Sequence, residues 1–183
     1  MANNIEQAYE LTLVVRSQIG DETAFEELLR THSPRLRAYV SRMLGTEHER
    51  ADDLLQEIWV SVFRALPRLN DAAAFRSWLF RIARDRVCRE FRRRHLPMSF
   101  NEPAASAEAV EEMNDEPPAG ETIRWGLERL SPDHREVLML RFLEDLSYED
   151  IARITGTAPG TVRSRIHYAK RALKDALQKE TTS

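Results

Sequence analysis

Residues 147–174, SYEDIARITGTAPGTVRSRIHYAKRALK, constrain this chain more than any other stretch. Apolar residues recur at helical spacing from Tyr148 to Ile154, and Thr155-Gly156-Thr157 then interrupts the pattern with a tight turn. A second helix follows, apolar along one face and basic along the others. Two helices joined through a glycine turn form a helix-turn-helix, a motif whose second helix lies in the major groove of DNA. The competing reading of the same residues is a helical hairpin with a solvated basic face.

Setting Val162 at the centre of the core face brings Ile166, Ala169 and Leu173 within about half a right angle of it. Gly160, Ser164, His167, Tyr168 and Arg171 fall opposite. Arg163, Lys170 and Lys174 flank one side, Thr161 and Arg165 the other. Pro159 suits a first helical turn, where its missing N–H has no helical partner. Gly160 lets the backbone approach a phosphate closely, and a helix N-terminus attracts anions. Only the N-terminal part of such a helix reaches base edges. Base reading therefore falls to Arg163, Ser164, Arg165 and His167, with Gly160 and Thr161 beside them at the helix start. An Arg fork on guanine O6 and N7 supplies about 1–3 kcal/mol of discrimination. Lys170, Arg171 and Lys174 sit where phosphates run.

The 183 residues suit one large domain or two small ones. No apolar run is long enough to span a bilayer, and the start of the chain lacks the basic and apolar regions of a signal peptide, so a cytoplasmic protein is expected. Cys88 is the only cysteine, which rules out an internal disulfide or a Cys-x-x-Cys metal site; burial is its expected state. The five histidines are scattered without ligand-like spacing, so no metal is expected.

The net charge of −3 is unevenly distributed. Residues 1–96 carry 16 Arg against 14 acids, and residues 123–183 carry 11 Lys and Arg against nine acids, so each is +2. Residues 97–122 carry seven acids and no Lys or Arg, which makes −7. That middle segment also has four Pro and no sustained apolar period, a composition that cannot bury enough surface to offset chain entropy. It reads as a flexible acidic linker between two domains, 1–96 and 123–183.

Both flanks read as helix, with no alternating strand pattern, so the fold class is all-α: two small helical domains, the C-terminal one a helix-turn-helix domain. In the first, helices are expected over Asn4 to Ser17, Asp21 to Thr31, from Ser33-Pro34 to Gly45, from a Thr46/Glu49 capping box to Ala65, and over Ala72 to Arg94. In the second they are expected over Thr122–Leu130, Pro132–Leu143, Tyr148–Ile154 and Pro159–Gln178. Ser131-Pro132 and Ser147 with Asp150 supply two of the starts.

Residues 75–94, FRSWLFRIARDRVCREFRRR, make up most of the longest of these helices, Ala72 to Arg94. Phe75, Trp78, Leu79 and Ile82 make one stripe, and its continuation is Arg86, Arg89 and Arg93. Seven Arg stand against Asp85 and Glu90 across residues 81–94. Arg beside exposed aromatics suits single-stranded nucleic acid, where rings stack on bases and cations follow the backbone. The aromatics also fit a plain core, the simpler reading for Trp78 and Ile82; the cationic cluster still calls for an anionic partner or a solvated end.

Taken in order, these segments resemble a bacterial RNA polymerase sigma factor of the two-domain extracytoplasmic-function group. In the first domain the resemblance rests on Gly20-Asp21 through Ala24 to Leu28, Ala51 to Trp59 (ADDLLQEIW), and Phe75 to Ala83 (FRSWLFRIA) with its arginine tail. In the second it rests on Leu127 to Arg141, Tyr148 to Ala152 and Gly160 to Arg165. The resemblance implies that the first domain binds the −10 promoter element and helps melt it, through Trp78, Arg81, Arg86, Arg89 and Arg93. In the family the loop corresponding to Pro67–Ala74 captures an unstacked base, and the resemblance makes Asn70 and Asp71 its polar candidates here. It implies that the second domain reads the −35 element. Asp52, Asp53, Gln56, Glu57 and Trp59 would dock on core RNA polymerase; read alone, that stretch is an ordinary amphipathic helix with Leu54, Leu55, Ile58 and Val62 for its core.

The implied partners are core RNA polymerase and promoter DNA, with an anti-sigma factor as a common regulator in the group. The acidic linker would thread toward the polymerase cleft, or serve as a plain spacer. Asp85 stands where the family commonly has Asn, Trp59 where it has Phe, and Tyr168 where many members have Arg, so the promoter sequence is not implied. No Walker loop, dinucleotide fingerprint or nucleophile–base pair is present, so no enzyme activity, cofactor or small-molecule substrate is expected. Two other functions share part of the pattern. An autonomous helix-turn-helix repressor or activator would leave the arginine helix and acidic linker unexplained. A helical adaptor would never touch DNA.

Overall fold

The computed structural model of the chain describes residues 2–45, 48–93 and 120–181. These divide into two compact units, Met1–Glu90 and Phe91–Ser183. The Thr46 cap, Arg94 and the 97–119 stretch of the acidic segment lie outside the described residues. All regular structure among the described residues is helical.

The first unit is built from α1 (Ala2–Gln18), α2 (Glu22–Leu44), α3 (His48–Ala65), two short 3-10 turns (Leu66–Arg68 and Ala72–Ala74) and all but the last three residues of α4 (Phe75–Arg93). Asp21 caps α2, its carboxylate accepting from the Ala24 N–H at 3.2 Å. Hydrogen bonds from Thr23, Arg16 and that amide hold its carboxyl at about 2, well below the ordinary 3.8. The expected break before Ser33-Pro34 does not occur, and α2 runs through Pro34 to Gly45, which closes it at φ 85°. The reason is tertiary. Ala24, Leu28, His32, Leu36, Tyr39, Val40 and Met43 form one continuous buried stripe across both halves. Burying such side chains at about 1.5–3 kcal/mol each outweighs the one backbone hydrogen bond that Pro34 cannot make.

That stripe meets α1, α3 and α4. Ala51, Leu54, Ile58 and Val62 line α3, and Phe75, Leu79, Ala83 and Val87 line α4, each at helical spacing and each buried. Tyr39 of α2 sits edge-on to Phe80 of α4, ring centroids 5.3 Å apart. Phe75 and Phe80 are wholly core, which closes the stacking alternative for those two rings. Cys88 is buried. Gln18, at the end of α1, donates to the Leu66 and Leu69 carbonyls at 3.1 and 2.7 Å and so pins the loop that carries Asn70 and Asp71.

The second unit comprises α5 (Gly120–Glu128), α6 (Pro132–Leu138) continued by a π turn (Met139–Leu143), α7 (Tyr148–Thr155) and α8 (Pro159–Thr181). Ser131-Pro132 starts α6 as expected, Ser131 Oγ accepting from the His134 N–H. Arg135 donates to the carbonyls of Leu127, Glu128 and Leu130 and so satisfies the C-terminal end of α5. The π turn replaces the last turn expected of α6, its bond running from the Glu144 N–H to the Met139 carbonyl. Helices α5, α6 and α7 all pack on α8. Gly126 of α5 permits that approach, since a Cβ there would lie 2.6 Å from Leu173 Cδ1.

Candidate nucleic-acid interface

In the second unit, Ser147 Oγ accepts from the Asp150 N–H at 3.0 Å and donates to the Asp150 carboxylate at 2.6 Å, which fixes the start of α7. The helix ends at Gly156, left-handed at φ 68°, with the Thr157 N–H returning to the Ala152 carbonyl at 3.1 Å. That turn needs a residue without a Cβ penalty and redirects the chain into α8 within three residues.

On α8, Val162, Ile166 and Ala169 are buried, anchoring the helix on α6 and α7. Arg163 is exposed, with its guanidinium 5.8 Å from the centre of the Tyr148 ring; Arg141 lies 5.2 Å from the same ring. Lys170 Nζ sits 5.2 Å from the Phe142 ring, and Arg171 is exposed. The His167 and Tyr168 rings meet edge-on at 5.4 Å, both half-buried. Gly160 is exposed, and a Cβ there would meet nothing within 4 Å. Thr161 is half-buried, its carbonyl accepting from Ser164.

In the first unit, α4 presents Arg81 and Arg89 exposed, and no partner is found for either among the described residues. Arg93 is exposed too. Arg86 is held against α3: it donates to Ser61 Oγ at 2.6 Å and lies 3.6 Å from Glu57. Trp78 is half-buried, its ring tilted against Phe75 at 6.1 Å. Asn70 and Asp71 are exposed in the loop before α4, and Asp71 is engaged as a cap, accepting from the Ala73 N–H at 3.0 Å. On α3, Asp53, Gln56 and Glu57 are exposed, Asp53 beside Arg50 and Glu57 between Arg50 and Arg86, while Asp52 pairs with Arg37.

Two family models match in chain order: sigma-70 region 2 over residues 28–96 and sigma-70 region 4 over residues 126–173. An RNA polymerase sigma factor of Myxococcus xanthus, CarQ, is 33% identical over 165 residues, spanning 88% of this chain and 94% of that protein. The chain belongs to the extracytoplasmic-function group of RNA polymerase sigma factors.

The extracytoplasmic-function sigma factor SigE of Mycolicibacterium smegmatis is also 33% identical, over 89% of this chain; the match spans 66% of that longer protein. Among solved structures, the sigma factor RpoE of Bartonella quintana, crystallised with the anti-sigma factor NepR, superposes with a TM-score of 0.66 at 26% identity. It covers 84% of this chain and 96% of that one. CnrH, solved with the cytosolic domain of CnrY, shares the fold at a TM-score of 0.68 and 23% identity. This sigma factor is therefore a promoter-recognising, DNA-binding factor of transcription initiation. No helix among its described residues is long and apolar enough to cross a membrane.

Three of the residues singled out in the sequence stand differently in the sigma-factor fold. Ser164 is buried and donates to the Thr161 carbonyl at 3.0 Å, so its hydroxyl faces inward rather than toward bases. Arg165 is largely buried and lies 3.5 Å from Asp133 of α6, itself buried. Both follow from α8 being covered by three helices, which widens its buried arc beyond the Val162 stripe. Trp59 is core, edge-on to Phe25 at 5.9 Å, because α2 lies across that side of α3. The apolar residues that do face outward on α3 are Val60 and Phe63, 48% and 58% exposed. Their i+4 and i+7 spacing from Gln56 could have revealed them. Tyr148 and Arg141, which flank Arg163, carried no separate sequence signal.

Proposed function

We propose that residues 1–96 dock on core RNA polymerase and hold the −10 element, residues 97–122 link, and residues 123–183 read the −35 element. The observation that carries this is α8: a helix anchored through Val162, Ile166 and Ala169 that turns Arg163 and Arg171 outward, with half-buried Lys170 beside them, past a tight Gly156 turn. Arg163 reads a base edge; Lys170 and Arg171 contact phosphates; Gly160 and Thr161 admit the backbone at the helix start; His167 lies beside them. Ser164 and Arg165 support the helix from inside. In the first domain Arg81, Arg86, Arg89 and Arg93 follow the strand, Trp78 backs them, and Asn70 and Asp71 meet the base held open.

The polymerase-docking face is the outward side of α3: Asp53, Gln56 and Glu57 together with Val60 and Phe63, with Asp52 at its edge and Trp59 beneath it as support. The factor acts through binding free energy alone. Holding unstacked bases offsets the few kcal/mol that each opened step costs, so no covalent chemistry is required. It works where the polymerase is, in the cytoplasm. A regulator of the anti-sigma kind belongs to the proposal, since the Bartonella quintana relative was crystallised with one. The test is runoff transcription with core polymerase on genomic fragments, with and without the factor. Discrete start sites that depend on the factor are expected; none with any bacterial core enzyme overturns the proposal.

A further inference from the structure

Glu57 lies between two arginines of different standing. Arg50 Nη2 is 3.8 Å from it but also 2.8 Å from the buried carboxylate of Glu90, and Arg50 Nη1 is 3.5 Å from Asp53. Arg86 of α4 is 3.6 Å from it and meets no second carboxylate among the described residues; its other contact there is the hydrogen bond to Ser61. Withdrawing Glu57 therefore leaves Arg50 paired and Arg86 without an acid. Glu57 shares the outward side of α3 with Gln56, Val60 and Phe63, whereas Arg86 shares the α4 stripe with Arg89 and Arg93. One contact thus joins the docking side of α3 to the cationic stripe of α4.

We infer that Glu57 and Ser61 form a latch that holds Arg86 out of the strand-binding stripe in the free factor, and that core polymerase releases it by engaging Glu57. The inference rests on the docking and strand-binding roles proposed above. A carboxylate and a strand phosphate compete for the same guanidinium. While Glu57 holds it, the stripe is one charge short at its start; when a partner draws Glu57 away, Arg86 joins Arg89. Strand binding then becomes conditional on polymerase binding without any change of fold.

The test is the affinity of the free, full-length protein for a fluorescent oligothymidylate, measured over a range of salt. Glu57→Gln is expected to tighten binding about threefold, the size of a half-exposed ion pair. It should also steepen the salt slope by about 0.7, one added single-strand phosphate contact. Ser61→Ala moves both readings the same way by less. Arg86→Gln removes the gain from the Glu57→Gln protein and costs the wild type less. If Glu57→Gln tightens binding as much when Arg86 is already Gln, the effect is only lost negative charge, and the latch is wrong. A Glu57→Gln protein with wild-type affinity and slope overturns it equally. Permanganate footprinting of the holoenzyme separates the two levels. If R86Q holoenzyme fails to open promoters while the free-protein cycle shows no coupling, only the latch falls. If R86Q holoenzyme opens them normally, the strand-binding role of Arg86 falls, and the latch with it.

Discussion

The two cationic helices, α4 and α8, dispose of their charge in different ways. On α8 the arginines are sorted by depth. Arg165 is inside, against buried Asp133, while Arg163 and Arg171 are outside. On α4 they are sorted along the helix. Arg76 is tied to Glu10 at 3.3 Å near its start, Arg86 to Glu57 and Ser61 in its middle, and Arg81 and Arg89 stand in solvent. The base reading proposed for α8 calls for a helix held in place, which the Arg165–Asp133 pair supports; the strand binding proposed for α4 calls for charge along the helix, which half-exposed acids can regulate. Counting arginines does not distinguish the two; their partners do.

The largest expected effect breaks the inside pair of α8. Asp133→Asn leaves Arg165 buried without its anion and should cost about 3 kcal/mol of stability in the second unit. Urea unfolding of the full chain measures it; a cost below about 0.5 kcal/mol, the size of a neutral surface change, would mean the pair does not hold α8. Next comes the outside arginine. Arg163→Ala should lose about 1–3 kcal/mol of discrimination at one base pair of the −35 element and leave the melting temperature unchanged. Equal selectivity across a substituted promoter series would remove Arg163 from base reading.

Smaller still is the phosphate row. Lys170→Ala should flatten the salt dependence of duplex binding by about 0.9 on a log–log plot, with a uniform loss over all sequences. A loss confined to one sequence would make it a base contact instead.

The smallest effect concerns the anchor of α4 and appears with pH. Burial alone would raise the Glu10 carboxyl, but His32, 3.2 Å away, and Arg76 outweigh it and hold it below its ordinary 4.5. Its folded value therefore lies under its unfolded one. The stability it contributes is complete above about pH 4.5 and disappears as pH falls through the lowered value. Glu10→Gln should flatten the acid limb of the first unit's stability curve; an unchanged limb would show that Arg76 does not anchor α4 through Glu10.

The same dipeptide shows how far local signals reach. Ser131-Pro132 starts α6, with Ser131 as its cap, while Ser33-Pro34 lies within α2. Nothing within a few residues distinguishes them. What differs is the buried stripe running through the second pair and supplied with neighbours by α1, α3 and α4. The cap at Ser147 and the turn at Gly156 were legible because each needs only atoms within three or four residues. Arg163, Lys170 and Arg171 were legible as a row because helical spacing alone puts them off the core face. Trp59 and Ser164 were not. Amphipathic spacing locates the main buried stripe of a helix but not the additional neighbours that widen it.

The sequence by itself determined the helices, most of their ends, the redirecting turn and the family, since these depend on short-range sterics, hydrogen bonding and periodicity. Only the tertiary structure decided which charges are spent internally. Asp133 with Arg165, and Glu57 with Arg86, are about thirty residues apart in the chain and meet only when separate helices pack. A guanidinium at that distance is free or paired according to where the core places its carboxylate.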